Sequence, residues 1–203
     1  MLFRSILFFF NGDFQEGNAA NARFVAYGKG LNSLNVQNCF YPIRPSEFGD
    51  SGINTKVKGQ VQGVGFEYLG NETKRRESFF GRFLRLFIAW IRAFSILKSN
   101  SVNTTVIYCY GAQIITHSPI LLIAKLFGYK VIIEQTELHS LKIENNVLKT
   151  AFSKLNNGLV EWSMPFWADI LLVTSRRLRL FYKHRFPDFN VQILPIVFDD
   201  ARF

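Results

Sequence analysis

Along the chain the spacing of apolar residues switches repeatedly between two patterns. Short unbroken apolar runs fit strands buried on both faces, and longer stretches with apolar positions three and four apart fit helices packed by one side. Leu2 to Phe10 reads as a first strand, followed by a turn containing Gly12 and Gly17, then a helix from about Ala19 to Leu34 with Ala20, Phe24, Tyr27, Leu31 and Leu34 on one face. Val36 to Tyr41 is a second strand, and Pro42 to Gln60 is a loop long enough to suspect function. The run from Val61 (VQGVGFEYLG) reads as a third strand whose Gly63 and Gly65 suit an edge position or a bulge.

From Lys74 to Lys98 the pattern predicts one long helix, with Phe79, Phe83, Phe87 and Ile91 on one side and Ser78, Arg82, Arg85 and Arg92 in a narrow stripe on another. The spacing fits a crossover helix laying its wide apolar face on the sheet. A basic amphipathic helix at a membrane surface is the rival reading, and both hold if the basic edge stays exposed. The last third repeats strand and helix three times: TTVIYCY with Gln113 to Phe127, KVIIEQ with helical material to about Phe166, and DILLVT with a helix starting near Ser175. VQILPI closes the series at Ile196. About seven strands with helices between them define an α/β fold, a Rossmann-like, doubly wound and mostly parallel sheet with helices on both faces.

Composition narrows the picture without changing it. A chain of 203 residues, 48% hydrophobic, is the right size for one domain or one lobe of a larger enzyme. Lys and Arg number 24 against 15 Asp and Glu, a net charge of +9 that favours an anionic partner such as a phosphate-bearing ligand, nucleic acid or a membrane surface. The aromatic residues lie at core periodicity with no stacking motif, which argues against specific nucleic-acid binding. Cys39 and Cys109 sit in strand-like runs without metal-ligand spacing and read as reduced core residues of a cytosolic protein. No ligand cluster implies a metal. MLFRSILFFF reads as a buried strand, not a targeting segment, and no uncharged apolar run reaches the roughly 18 residues a transmembrane helix needs.

In an open parallel sheet ligands bind beyond the carboxyl ends of the strands, so the residues following each strand are the candidates. After the first strand come Gly12, Asp13, Gly17 and Asn18, leading into a helix whose free N–H groups could hold an anion; a plain strand-to-helix turn fits them equally. The dinucleotide fingerprint is absent, since in GVGFEYLG the third glycine position is Tyr68, and GKG at Gly28 lies inside a helix without Walker spacing. NAD and ATP are therefore disfavoured. Tyr110 and Gly111 follow the fourth strand, and His117 falls about two turns into the next helix, where a surface role is the ordinary expectation. Glu134, Glu137 and His139 cluster after the fifth strand, where a carboxylate could bind sugar hydroxyls or take a proton and an imidazole could assist, or where a glutamate only caps a helix or sits solvated. Ser175 is a natural N-cap, with Arg176 and Arg177 beside it.

Taken in order, these segments resemble the N-terminal domain of the GT4-like, retaining glycosyltransferases of the two-Rossmann-domain GT-B fold. EGNAANARFVAYGKGLNSLNVQNCFYPIRPSE resembles that family's glycine loop, first helix and second strand; YLGNETKRR and the long helix resemble its variable middle. WADILLVTSRRLRLFYKHRFPDFNVQILPIVFDDARF resembles its closing unit, with Ile196 and Val197 where the family often has Asn-Gly.

The resemblance implies a donor-phosphate loop at Gly12, Asp13, Gly17 and Asn18, and an acceptor side of the cleft at Tyr110, Gly111, Glu134, Glu137 and His139. It implies an interlobe edge at Ser175 and Arg176. It further implies a nucleotide-sugar substrate, no resident cofactor, a glycan or lipid-linked acceptor, and a cytoplasmic location that extends to the inner face of the membrane. Polysaccharide assembly in bacteria is the commonest setting. The family's donor-binding second domain, with its paired glutamates, would begin near Phe203; residues 1–203 are read as a single lobe, completed by a further domain or a separate partner chain and inactive as a transferase alone. The alternative is a noncatalytic acceptor-recognition subunit of a split enzyme.

Overall fold

Leu7, Phe8, Phe9 and Phe10 are all buried, which requires a strand covered on both faces. In the computed structural model of the chain, which describes residues 3–14, 19–47, 54–136 and 158–194, this run is β1 (Ser5–Asn11) in the interior of an eight-stranded sheet. Leu7 and Phe9 face one core, and Phe8 and Phe10 the other. The remaining strands are β2 (Gln37–Arg44), β3 (Lys58–Val61), β4 (Val64–Glu67), β5 (Thr105–Tyr110), β6 (Lys130–Gln135), β7 (Ile170–Val173) and β8 (Val191–Ile193). Their order across the sheet is β3-β4-β2-β1-β5-β6-β7-β8, parallel throughout except for the β3–β4 pair. This is a Rossmann-like, doubly wound lobe, the fold class expected.

The helices are α1 (Ala19–Ser33), α2 (Phe79–Ser99), α3 (Ile114–Leu126), α4 (158–167) and α5 (Arg176–Arg185). Phe24 and Val25 of α1 close one face of the sheet over Phe8, Phe40 and Tyr108. The Phe8 ring stacks on Phe40 with centroids 4.2 Å apart and leans on Tyr108 at 4.7 Å, so neighbouring strands are joined by an aromatic ladder. Ala89, Ala93 and Leu97 of α2, Ile120, Leu121 and Ala124 of α3, Val160 and Met164 of α4, and Leu178 and Tyr182 of α5 cover the other face.

Four expectations are corrected. The run from Val61 is the second half of a β-hairpin: Gln62 and Gly63 both have positive φ (51° and 81°), the mirror-image two-residue turn that joins antiparallel strands, so the described residues hold eight strands where about seven were expected. Leu34 lies beyond the end of α1 and is exposed. The long helix does not lay its phenylalanines on the sheet. Phe79, Phe80, Phe83, Phe87 and Ile91 are exposed, and its small face packs instead, with the Trp90 indole N–H donating to the Thr116 carbonyl (3.1 Å). Finally, His117 is wholly buried, not on a helix surface. Among the described residues no helix is long and apolar enough to cross a membrane.

Candidate functional site at the switch point

From β1 the chain moves outward to β2 and β4, then returns through α2 to β5 on the opposite side of β1. The connections therefore diverge between β1 and β5, the switch point at whose carboxyl ends doubly wound sheets form their ligand crevice. Gly12 (φ 127°) ends β1 and Gly111 (φ 59°) ends β5, both in conformations that disfavour a side chain, and the space where a Cβ would stand is open at each. Backbone bonds hold both turns, Gly12 N–H to the Arg44 carbonyl and Gly111 N–H to the Glu134 carbonyl, each 2.9 Å. Across the crevice the Asn11 amide donates to Thr116 Oγ1 (2.8 Å) and Gln113 Oε1 (3.1 Å), tying β1 to the start of α3. The buried Asn11 Oδ1 has no partner among the described residues, leaving an acceptor at the crevice floor.

His117 lies beneath this link. Its Nδ1 accepts from the Gln113 backbone N–H (3.1 Å), while the Gln113 carbonyl accepts from the His117 N–H (2.9 Å), so the two residues close the first turn of α3 reciprocally. An accepting Nδ1 places the ring proton on Nε2, facing the Phe9 backbone, and burial pushes the imidazole pKa down to about 4. The ring is neutral at physiological pH.

Asp13 is 5% exposed, and its carboxylate accepts from the Ser46 N–H (3.1 Å to each oxygen) and from the Ser46 hydroxyl. Burial raises its pKa against the pull of those bonds. The Phe14 N–H donates to the Tyr68 hydroxyl (2.9 Å), so the segment after β1 is clamped to the segments after β2 and β4. Gly17 and Asn18 lie outside the described residues, as do Glu137 and His139.

Glu134 has no solvent exposure. It is ion-paired with Arg23 of α1 and accepts from the Tyr108 hydroxyl, while the Arg23 Nε donates to the Tyr27 hydroxyl (2.7 Å). Burial raises the Glu134 pKa, opposed by Tyr108 and Arg23. The carboxylate is closed beneath α1 and fastens that helix to the sheet. Tyr110 is half-buried, edge-on to Phe24 (5.0 Å), with Gly111 beside it on the crevice rim. Thr174 bridges to the Thr136 carbonyl (3.2 Å), and Ser175 caps α5 by accepting from the Leu178 N–H (3.2 Å), with Arg176 exposed in its first turn. Of the residues singled out from sequence, Gly12, Asp13, Tyr110, Gly111 and Glu134 thus meet around the β1–β5 crevice, while Ser175 and Arg176 sit farther along the same edge.

Sequence reasoning missed Asn11, taken as part of a turn, and Arg44. β2 runs three residues past Tyr41, through Pro42, so Arg44 pairs with Asn11 at the carboxyl edge instead of lying in the loop. Arg44 there meets Arg75 and Arg82. The signal available was the apolar alternation continuing through Ile43, masked by the proline. Among the described residues no group of His, Cys, Asp or Glu could hold a metal ion.

The described residues form a doubly wound α/β fold with a topological switch point between β1 and β5. A solved structure with this architecture is sucrose-phosphate synthase from Thermosynechococcus elongatus, a GT-B glycosyltransferase, with a TM-score of 0.64 at 12% sequence identity; the likeness covers 95% of this chain and 48% of that one. The chain thus has the fold of about half of that enzyme and spans about half its length. No protein-family model and no curated protein sequence matches the chain.

Proposed function

We propose that this chain is the acceptor-binding half of a retaining glycosyltransferase that moves a sugar from a nucleotide sugar to a glycan or lipid-linked acceptor. A second, donor-binding lobe, in the same polypeptide or in a partner chain, would complete it. The observation that carries this reading is the superposition of nearly the whole chain on about half of a glycosyltransferase. The crevice supports it, with two side-chain-free turns at Gly12 and Gly111 and the buried acceptor Asn11 Oδ1, which has no partner among the described residues. Glu134 serves here as a positioning residue, holding α1 so that its N-terminus meets the crevice.

The acceptor is proposed to be met at an anionic membrane surface. Seven large apolar side chains of α2 (Phe79, Phe80, Phe83, Leu84, Phe87, Ile91 and Phe94) are exposed on a chain of net charge +9, a combination that complements an anionic headgroup layer. Binding to anionic vesicles at low salt, weakened in Phe83→Ser, is expected; a protein that ignores such vesicles sinks this part.

The transfer itself is tested with the two-lobe assembly from the source organism, offered a panel of nucleotide sugars with total membrane lipid and oligosaccharide acceptors. Incorporation with the donor's anomeric configuration, read by NMR, is expected. A folded two-lobe assembly that consumes none of the donors, or that gives the inverted anomer, overturns the reading.

A further inference from the structure

We propose that Arg44, Arg75 and Arg82 form a binding site for a phosphate or pyrophosphate group at the carboxyl edge of the sheet, next to the β1–β5 crevice. Arg44 ends β2 opposite Asn11, and its carbonyl holds the Gly12 turn, so the cluster adjoins the crevice through one residue. Arg75 precedes α2, with its N–H on the Glu47 carbonyl (2.7 Å), and Arg82 lies in the first turn of α2. The three line a notch of about 30 Å³ together with Ile43, Leu86 and Glu72, and a depression of about 660 Å³ along residues 71–78 shares Glu72, Lys74, Arg75 and Arg76 with it.

The pairing pattern around the notch is uneven. Arg76 and Arg85 share Glu72, and Arg92 holds Glu67. Arg44 and Arg82 have no carboxylate partner among the described residues, and Arg82 Nε is buried without an acceptor. The three guanidiniums also act on one another: burial and the charges of Arg75 and Arg82 depress the pKa of Arg44, and burial and Arg82 depress that of Arg75. The first turn of α2 also carries no acidic residue, so the positive end of its dipole adds to the same field. Like charges gathered at a helix N-terminus oppose folding unless an anion joins them. Each planar guanidinium fork can grip two oxygens of an oxyanion, and a phosphate, unlike a carboxylate, has enough oxygens to meet more than one fork. That the phosphate belongs to the sugar acceptor rests on the proposed function; the binding site does not.

The test uses the full chain and sodium pyrophosphate at fixed ionic strength, read by calorimetry and by thermal unfolding. Wild type is expected to bind and to gain thermal stability. Arg44→Gln and Arg82→Gln should each weaken binding roughly tenfold or more, and their unliganded melting temperatures should stay level or rise, because a repulsion has been removed. Arg82→Lys keeps the charge, loses the fork and should fall between. Arg177→Gln, an equal charge change on exposed α5, should leave binding intact. The proposal is overturned by absence of a pyrophosphate effect beyond that of sodium chloride, by equal weakening in Arg177→Gln, or by Arg44→Gln and Arg82→Gln both melting well below wild type without pyrophosphate. Vesicles with and without phosphatidic acid identify the source: displacement by pyrophosphate assigns the site to a lipid phosphate, and binding that persists assigns it to a soluble one. Pyrophosphate binding without sugar transfer would remove the transferase reading and keep this site, and transfer without pyrophosphate binding would do the reverse.

Discussion

His117 offers the sharpest quantitative test of how the switch point is held. Buried and neutral, it has a pKa near 4 in the folded chain against 6.5 when exposed. A base whose folded pKa is depressed contributes stability that is complete above its unfolded value and is lost as pH falls, because the unfolded chain then takes up a proton that the folded one refuses. Over the whole interval, at about 1.4 kcal/mol per pH unit, the loss reaches about 3 kcal/mol; between pH 7 and pH 5 it is about 2 kcal/mol. Replacing the ring by His117→Asn keeps an oxygen near the position of Nδ1 to accept from the Gln113 N–H, but removes the titration. Urea unfolding of both proteins at pH 7 and pH 5 isolates this one group, since every other ionisable side chain is common to the two. Wild type should lose about 2 kcal/mol more than the variant on acidification. Equal losses, or a ring that titrates by NMR near 6.5, would refute a sealed neutral imidazole.

Two further outcomes follow from packing and charge. A Cβ on Gly28 would stand 2.5 and 2.6 Å from the Val64 methyls, so Gly28→Ala should destabilise by about 1–2 kcal/mol despite alanine's helix preference, whereas Gly30→Ala, with nothing within 4 Å, should stabilise slightly; thermal melts decide, and Val64→Ala should rescue the first variant. Arg23→Met strands Glu134 in the core and should cost about 3–5 kcal/mol at neutral pH. The deficit should shrink as pH is lowered, because a carboxyl with a raised folded pKa is favoured by protonation; a cost that grows on acidification would contradict this.

Most of the fold was legible because strands buried on both faces leave unbroken apolar runs, as LFFF, VIYC and VII do, and little else produces them. The hairpin was not, since a Gly-containing run reads equally as a bulged strand until the positive φ of Gln62 places a turn there. The orientation of α2 was lost for a different reason. Periodicity shows that a helix has an apolar side, but α2 has two, and the choice belongs to its neighbours: with Trp90 against Thr116 and α3 close by, the face that carries Ala89, Ala93 and Leu97 is the one that packs. The phenylalanines are turned outward by that fit.

The carboxyl edge divides in the same way. Glu134 was the most conspicuous polar residue in the sequence, yet in the structure its charge is matched by Arg23 and its oxygens are engaged, so it has nothing left to offer a ligand. Arg44 and Arg82 were inconspicuous, one hidden behind Pro42 and the other read as part of a helical stripe. A buried charge that is fully partnered records what the fold needs. Charges held together without an opposite partner record something the fold alone does not explain, because their repulsion raises the free energy of the native state for no structural return. At an edge that doubly wound sheets use for ligands, the pair with no carboxylate partner among the described residues is therefore the better guide to chemistry, and the removal of Arg82 should separate the two effects by weakening an anion's grip while leaving the empty lobe no less stable.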